Sequence, residues 1–204
     1  VGDIVNIAGI EYEGEDCELF PDGSVHDATL LHDTVIQGLP CAGGQSVVFY
    51  PSGRIKLAWL SSSVVVHDTP CAADDVTYFH ENGRVLNASL ATESRMGDVV
   101  LPADTRVTFD DFGVLLEHSE RLERDTVVGG LPCAADFTIW RYASGRPSLV
   151  VLASPFAIRG RTYPRGGELH MAPDGEVIHF VVVDVESGQR YRRRAFGVYE
   201  ASWT

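Results

Sequence analysis

The chain contains no run of 18 apolar residues, so no segment has the length of a membrane-spanning helix. It is poor in basic side chains: 16 Lys and Arg stand against 29 Asp and Glu, a formal charge of −13. A surface with that excess repels phosphate backbones, which argues against nucleic acid and leaves a basic partner as the electrostatic match. There are only four cysteines, none in a Cys-x-x-Cys pair or at zinc spacing from a histidine. No nucleophile elbow, Walker loop or dinucleotide fingerprint occurs, so the motifs imply neither a metal nor a cofactor. The stretch Val1-Gly2-Asp3-Ile4-Val5 has neither the basic nor the apolar region of a secretory leader. No window sustains a helical period.

What the sequence does contain is a repeat. A turn phrase ends at Gly23, Gly53, Gly83, Gly113, Gly145 and Gly175, with spacings of 30, 30, 30, 32 and 30. Typical copies are Tyr50-Pro51-Ser52-Gly53 and Ala172-Pro173-Asp174-Gly175. A second marker, Gly38, Asp68, Asp98, Gly130 or Gly160, lies fifteen residues before five of these glycines, and Gly9 lies fourteen before Gly23. The single two-residue insertion therefore falls between Gly113 and Gly130. Within each copy, β-branched and aromatic residues alternate between Pro and Gly breaks, which is a strand pattern throughout.

Aligning the copies exposes a core. Cys17, Val47, Thr77, Val107, Ile139 and Leu169 form one column; Leu19, Phe49, Phe79, Phe109, Arg141 and Met171 form another. After the turn come Val25, Ile55, Val85, Leu115, Pro147 and Val177, then Ala28, Ala58 and Ala88, then Leu30, Leu60 and Leu90. Arg141 and Pro147 interrupt the fifth copy. The expected fold is all-β: a 30-residue repeat array forming either a β-solenoid or a long curved antiparallel β-meander. The uneven column spacing predicts a bend or bulge in the strand after each turn. Residues 1–204 are read as a single repeat domain, with an N-terminal cap at 1–14, repeats at 15–190 and a C-terminal cap at 191–204 that brings Phe196, Tyr199 and Trp203.

The phrases Tyr50-Pro51-Ser52-Gly53-Arg54 and Phe20-Pro21-Asp22-Gly23-Ser24 resemble those of MORN-type repeat proteins. The resemblance implies a β-hairpin array used as a scaffold or interaction surface. The family's units are shorter and rich in Gly and Tyr in their second half, where this chain departs, so no functional residue is carried over.

Four groups of residues are candidates for chemistry. Cys41, Cys71 and Cys133 share one repeat position with Tyr12, Leu101 and Tyr163 and read as small buried hydrophobes, as does Cys17. Stacked coils would bring Cys41 and Cys71 within disulfide reach. His32-Asp33 and His67-Asp68 read as turn residues. A stripe at alternate positions before the turn, including Tyr50, Tyr78, His80, Asp110, Trp140, Tyr142 and His170 with Trp59 beside it, should face away from the core and suits a protein, glycan or apolar small molecule. In the irregular fourth copy, Glu120 falls in the alanine column with His118 two residues away, a carboxylate–imidazole pair able to act as acid and base. The basic cluster Arg190, Arg192, Arg193 and Arg194 reads as a charged edge strand.

The functional expectation is a repeat-built β-scaffold that binds through its aromatic-lined face. Open repeat ends offer a route to self-association. The alternative is a motif-less enzyme, a cyclase, isomerase or hydrolase, whose one pocket would join Glu120, His118, Trp140 and Tyr142.

Overall fold

The computed structural model describes residues 3–183, together with the strand backbone of 190–194 and 198–201. Among these residues there is no α-helix; a single 3-10 turn occupies Gly14–Asp16. None is long and apolar enough to form a membrane-crossing helix.

Each repeat folds as two hairpins. The long one is exemplified by strands Ser46–Phe49 and Ile55–Trp59. Its turn is closed by Gly53 N donating to Tyr50 O at 2.8 Å and Tyr50 N donating to Arg54 O at 2.8 Å. Gly53 takes φ +77, the left-handed residue that a three-residue hairpin loop needs. The register then slips, so that Val48 faces Leu57 while Phe49 faces Ile55. This bulge is the bend that the uneven columns predicted. It lets Ile55 and Ala58, three apart, both point into the core.

The short hairpin is exemplified by Thr34–Ile36 and Leu39–Cys41. Its two-residue turn, Gln37-Gly38, has φ +52 and +83, the primed type that matches strand twist. His67-Asp68 occupies the same turn in the next copy, with φ +44 and +69. The sequence marker is thus the second turn residue. Asp33 has a structural task, its Oδ1 accepting from Gly43 N at 2.8 Å, as Asp125 Oδ1 accepts from Ala135 N at 2.8 Å.

Long hairpins join side by side as an antiparallel meander. In the first unit, Val1–Leu116, the order is Glu18–Leu19, Val25–Thr29, Ser46–Phe49, Ile55–Trp59, Val76–Phe79, Val85–Ser89 and Arg106–Phe109. In the second, Glu117–Thr204, Thr138–Tyr142, Pro147–Val151, Gly167–Met171 and Val177–Val183 follow in the same manner. Neither meander closes into a barrel. In each unit the short hairpins lie on one face of its meander, and four of those described are pinned by a bridge: Tyr12 to Leu30, Cys41 to Leu60, Cys71 to Leu90 and Cys133 to Leu152. Each unit has its own core between sheet and short hairpins.

Several expectations change. The meander, not the solenoid, is the architecture. Equivalent residues are then two strands apart, roughly 10 Å, which is beyond disulfide reach. Cys41, Cys71 and Cys133 are buried free thiols, and Cys17 is a half-buried one. The chain divides into two units, with the boundary inside strand Leu115–Arg121 of the irregular copy. The segment expected to cap the N-terminus contains a short hairpin of the ordinary kind, Ile4–Ile7 with Ile10–Glu13, bridged by Tyr12 to Leu30. Leu19, expected in the core, is exposed because it sits on the two-residue edge strand of the first unit. The C-terminal cap residues Phe196 and Trp203 lie outside the described residues. Only strand backbone is described for Tyr199 and for the arginine cluster.

Candidate functional site

The face of the sheet opposite the short hairpins carries the residues expected to bind. In the first unit, cross-strand pairing places Val48, Leu57 and Tyr78 in one row, with Trp59 beside Val76 in the next. Side chains opposite one another across a ladder share a face, so these form one half-buried apolar centre. Polar clamps flank it. Ser46 Oγ donates to Asp27 Oδ1 at 2.6 Å on one side. On the other, Asn87 Nδ2 donates to Thr108 Oγ1 at 2.8 Å, and Arg106 Nε donates to Asn87 Oδ1 at 2.6 Å. Arg106 also pairs with Asp75 at 3.3 Å. In the second unit the equivalent row runs Ser119, Trp140, Leu149, His170 and His179. The His170 and His179 rings meet edge-on at 5.3 Å, and His170 Nε2 lies 3.2 Å from Glu168 Oε1.

Other members of the expected stripe are engaged within the array. Tyr50 Oη donates to Phe79 O at 2.9 Å, and Tyr142 Oη donates to Met171 O at 2.7 Å. His80 Nε2 lies 3.0 Å from Phe109 O; since a carbonyl only accepts, Nε2 carries the proton. In each case the acceptor lies 29 residues on, in the next long hairpin. Asp110 Oδ1 accepts from Phe112 N and Val114 N, capping its own turn. Trp59 and Tyr78 therefore remain on the open face of the first unit, and Trp140 on that of the second, beside the His170–His179 pair.

The proposed acid–base pair lies on the other side of the sheet. The insertion lengthens one ladder: Glu117 to Arg121 pair with five residues of Thr138–Tyr142, whereas Leu57 to Trp59 pair with three of Val76–Phe79. Glu120 stands opposite Ile139 and His118 opposite Arg141, while Trp140 and Tyr142 alternate to the opposite face. The pocket that was to join all four is not formed. Glu120 Oε2 instead accepts from Arg141 Nε at 2.6 Å. The diagonal Ala58–Phe79 pair of the first unit is replaced here by a diagonal ion pair. His118 is buried, and its Nδ1 has no hydrogen-bond partner. Burial first, and then the Arg141 charge, push the imidazole below the ordinary histidine range against a smaller opposing pull from Glu120.

Among the described residues no group of three His, Cys, Asp or Glu side chains could hold a metal ion. Burial pushes Cys71 up to about 12 and Cys41 and Cys133 up to about 11, so all three stay thiols at neutral pH and are poor nucleophiles.

Two surfaces escaped the sequence reading. Val35 and Val65 are 71% and 67% exposed on the outward side of the short hairpins, opposite Pro40 and Pro70. Alternation within these three-residue strands would have shown it. The second is a cleft of about 560 Å³ in the second unit, among Leu131, Arg146, Pro147, Phe156, Ile158 and Arg159. Pro147, the break in its column, was the visible sign.

No protein-family model matches the chain, and no curated protein matches it.

Proposed function

We propose that the chain is a repeat-built scaffold that binds another protein through the open sheet face of its first unit. The observation that carries this is the apolar centre Val48, Leu57, Trp59, Val76 and Tyr78, on the face that carries no short hairpin. A half-buried aromatic centre with a hydrogen-bonded polar rim has the anatomy of a protein interface. The rim is held rigid by the Asp27–Ser46 and Asn87–Thr108–Arg106 clamps, which reduces the ordering cost of binding. The first unit contains eighteen acidic and five basic residues, so the complementary partner has an apolar centre and a basic rim. The hairpin phrases that resemble MORN-type repeats point the same way.

The test is selection of binders from a displayed peptide library, alongside a glycan array. The expected result is basic, apolar peptides whose affinity drops at least about ten-fold with Trp59→Ala plus Tyr78→Ala, falls with salt, and is unchanged by Val65→Ser on the short hairpins. Peptide binding indifferent to the double variant would sink the proposal. Glycan binding that depends on Trp59, without peptide binding, would replace a protein partner by a carbohydrate.

A further inference from the structure

Three positions of the fifth and sixth copies differ together from the one copy that carries Gln37; the turn position itself varies along the chain, as Gln37, His67, Gly97, Gly129 and Arg159. In the first unit, Gln37 reaches from the short-hairpin turn to the long-hairpin turn beneath it. Its Nε2 donates to Gly53 O at 2.7 Å, and its Oε1 accepts from Ile55 N at 3.4 Å. The positions matching Gln37 and Ile55 are Gly129 and Pro147. Proline has no N–H to be accepted and glycine has no side chain to accept it, so the bracing contact is lost from both ends at once. The two residues are matched sterically as well: a Cβ on Gly129 would lie 2.8 Å from Pro147 Cδ. The third change is Met171 in the column that holds Phe49, Phe79 and Phe109.

These changes coincide with the cleft of about 560 Å³. It opens between the short hairpins Thr126–Cys133 and Phe156–Tyr163, over the turns of two successive long hairpins. Its floor is apolar: Leu131, Pro147, Phe156, Ile158 and Met171. Its rim is cationic. Arg146 Nη1 donates to Pro173 O at 3.0 Å, and Arg159 Nη2 donates to Asp174 O at 3.3 Å and pairs with Asp174 Oδ2 at 3.2 Å. Both guanidiniums are thus held by the same turn, and each keeps further N–H donors. Two guanidiniums and one carboxylate line the cleft, an excess of one positive charge; Glu176, 4.0 Å from Arg159, is outside the lining.

We propose that this cleft is a binding site for a small apolar carboxylic acid, its hydrocarbon body on the Leu131–Phe156–Met171 floor and its carboxylate between Arg146 and Arg159. The volume lies within the range of small-molecule sites, and an apolar lining with a few convergent polar groups is their usual chemistry. Guanidinium favours carboxylate through paired N–H donors, and a single anionic charge matches the excess on the rim. The site is separate from the sheet face of the first unit and does not depend on it.

The chain has two methionines, Met96 in the first unit and Met171 in the cleft, and they make the test internal to one sample. Methyl-labelled methionine spectra of the full chain are recorded during titration with octanoate and, separately, with 1-octanol. The expected result is a saturable shift of the Met171 methyl with a dissociation constant of about 1 mM or tighter, while Met96 stays in place. Octanol binds about ten-fold more weakly, and Arg146→Gln or Arg159→Gln weakens octanoate to a similar extent. The Met171 methyl of each ligand-free variant, at its parental position, reports that the second unit remains folded, and the unmoved Met96 signal controls for nonspecific binding. Three outcomes overturn the proposal: no Met171 shift up to roughly 10 mM octanoate, equal shifts at both methionines, or equal affinity for acid and alcohol.

Discussion

The first unit, Val1–Leu116, holds eighteen acidic residues against five basic ones, and the second, Glu117–Thr204, holds eleven of each. The whole formal charge of −13 therefore resides in the unit whose repeats are the more regular. There the core-facing columns keep to Ala58, Ala88, Phe79 and Phe109, and the charged residues lie outside those columns. In the second unit, charge enters the columns themselves, as Glu120 and Arg141, and a proline replaces an aliphatic residue at position 147. The difference shows what a repeat tolerates. A column accepts a charge when its cross-strand diagonal supplies the opposite one, and Pro147 is accepted where Gly129 leaves no side chain to bond an N–H, unlike Gln37 above Ile55.

The largest test of this contrast asks whether the two cores are equally demanding. Leu60 and Leu152 occupy equivalent positions and are both fully buried. Leu60→Ala and Leu152→Ala should each cost about 3 kcal/mol, read as denaturant midpoints. If the units unfold separately, each variant moves only one of two transitions; a single shared transition moved equally by both would erase the distinction.

The ion pair comes next. Glu120→Ala removes the partner of the half-buried Arg141, which keeps a longer bond to Gly145 O, and should cost about 0.5–1 kcal/mol, whereas Glu120→Ala with Arg141→Phe rebuilds the first unit's pairing and should recover most of the loss. Failure of the double variant to recover would mean that the lengthened ladder, and not the charge, makes this site different.

His118 gives a pH signature confined to the second unit. Its folded-state pKa is depressed below the ordinary 6.5. On acidification the unfolded chain binds a proton through about that pH while the folded chain does not, so stability falls there and levels off once pH passes below the folded pKa. His118→Leu removes the unpartnered Nδ1; it should add about 1 kcal/mol at pH 7 and abolish that dependence, as seen by comparing midpoints at about pH 7.5 and 5.5.

The smallest effect concerns a contact both units share. Tyr50→Phe and Tyr142→Phe each delete one hydrogen bond to the following hairpin and should cost about 0.5–1 kcal/mol apiece. Unequal losses would show that the units differ even where their contacts match.

The repeat period, the buried columns and the bulge after each turn were legible because each is written at fixed spacing, as with Val47, Ala58 and Leu60. The choice of meander over solenoid was not, since either one buries the same columns; it depends on whether Val48 meets Leu57 or its own equivalent thirty residues away. The aromatic face was legible as alternation, but the side-chain bonds from Tyr50 and His80 to the next hairpin were not, because alternation gives a direction and no partner. Glu120 keeps the alanine column's cross-strand register, opposite Ile139 as Ala58 is opposite Thr77. It is exposed, however, and the buried side chain five residues after the turn glycine is His118. Arg141, the partner of Glu120, was visible as an anomaly, yet nothing in one strand's pattern indicates which anomalies of its neighbour lie on the diagonal. The cleft was hidden for a related reason: Gly129, Pro147 and Met171 line it where earlier copies have the bulkier Gln37, Ile55 and Phe79, and such a change of volume leaves only a faint trace in a sequence.

The hydrogen bonds that run from Tyr50 to Phe79 and from His80 to Phe109 connect each hairpin only to its successor, with donor and acceptor always in equivalent places. Excising residues 51–80 would set Tyr50 where His80 stood, facing the Phe109 carbonyl with the same reach. A gene built this way can shed or duplicate a whole unit between equivalent points and still encode a chain in which each new junction finds its mate. Length then becomes an inheritable variable, adjustable without the invention of any new contact.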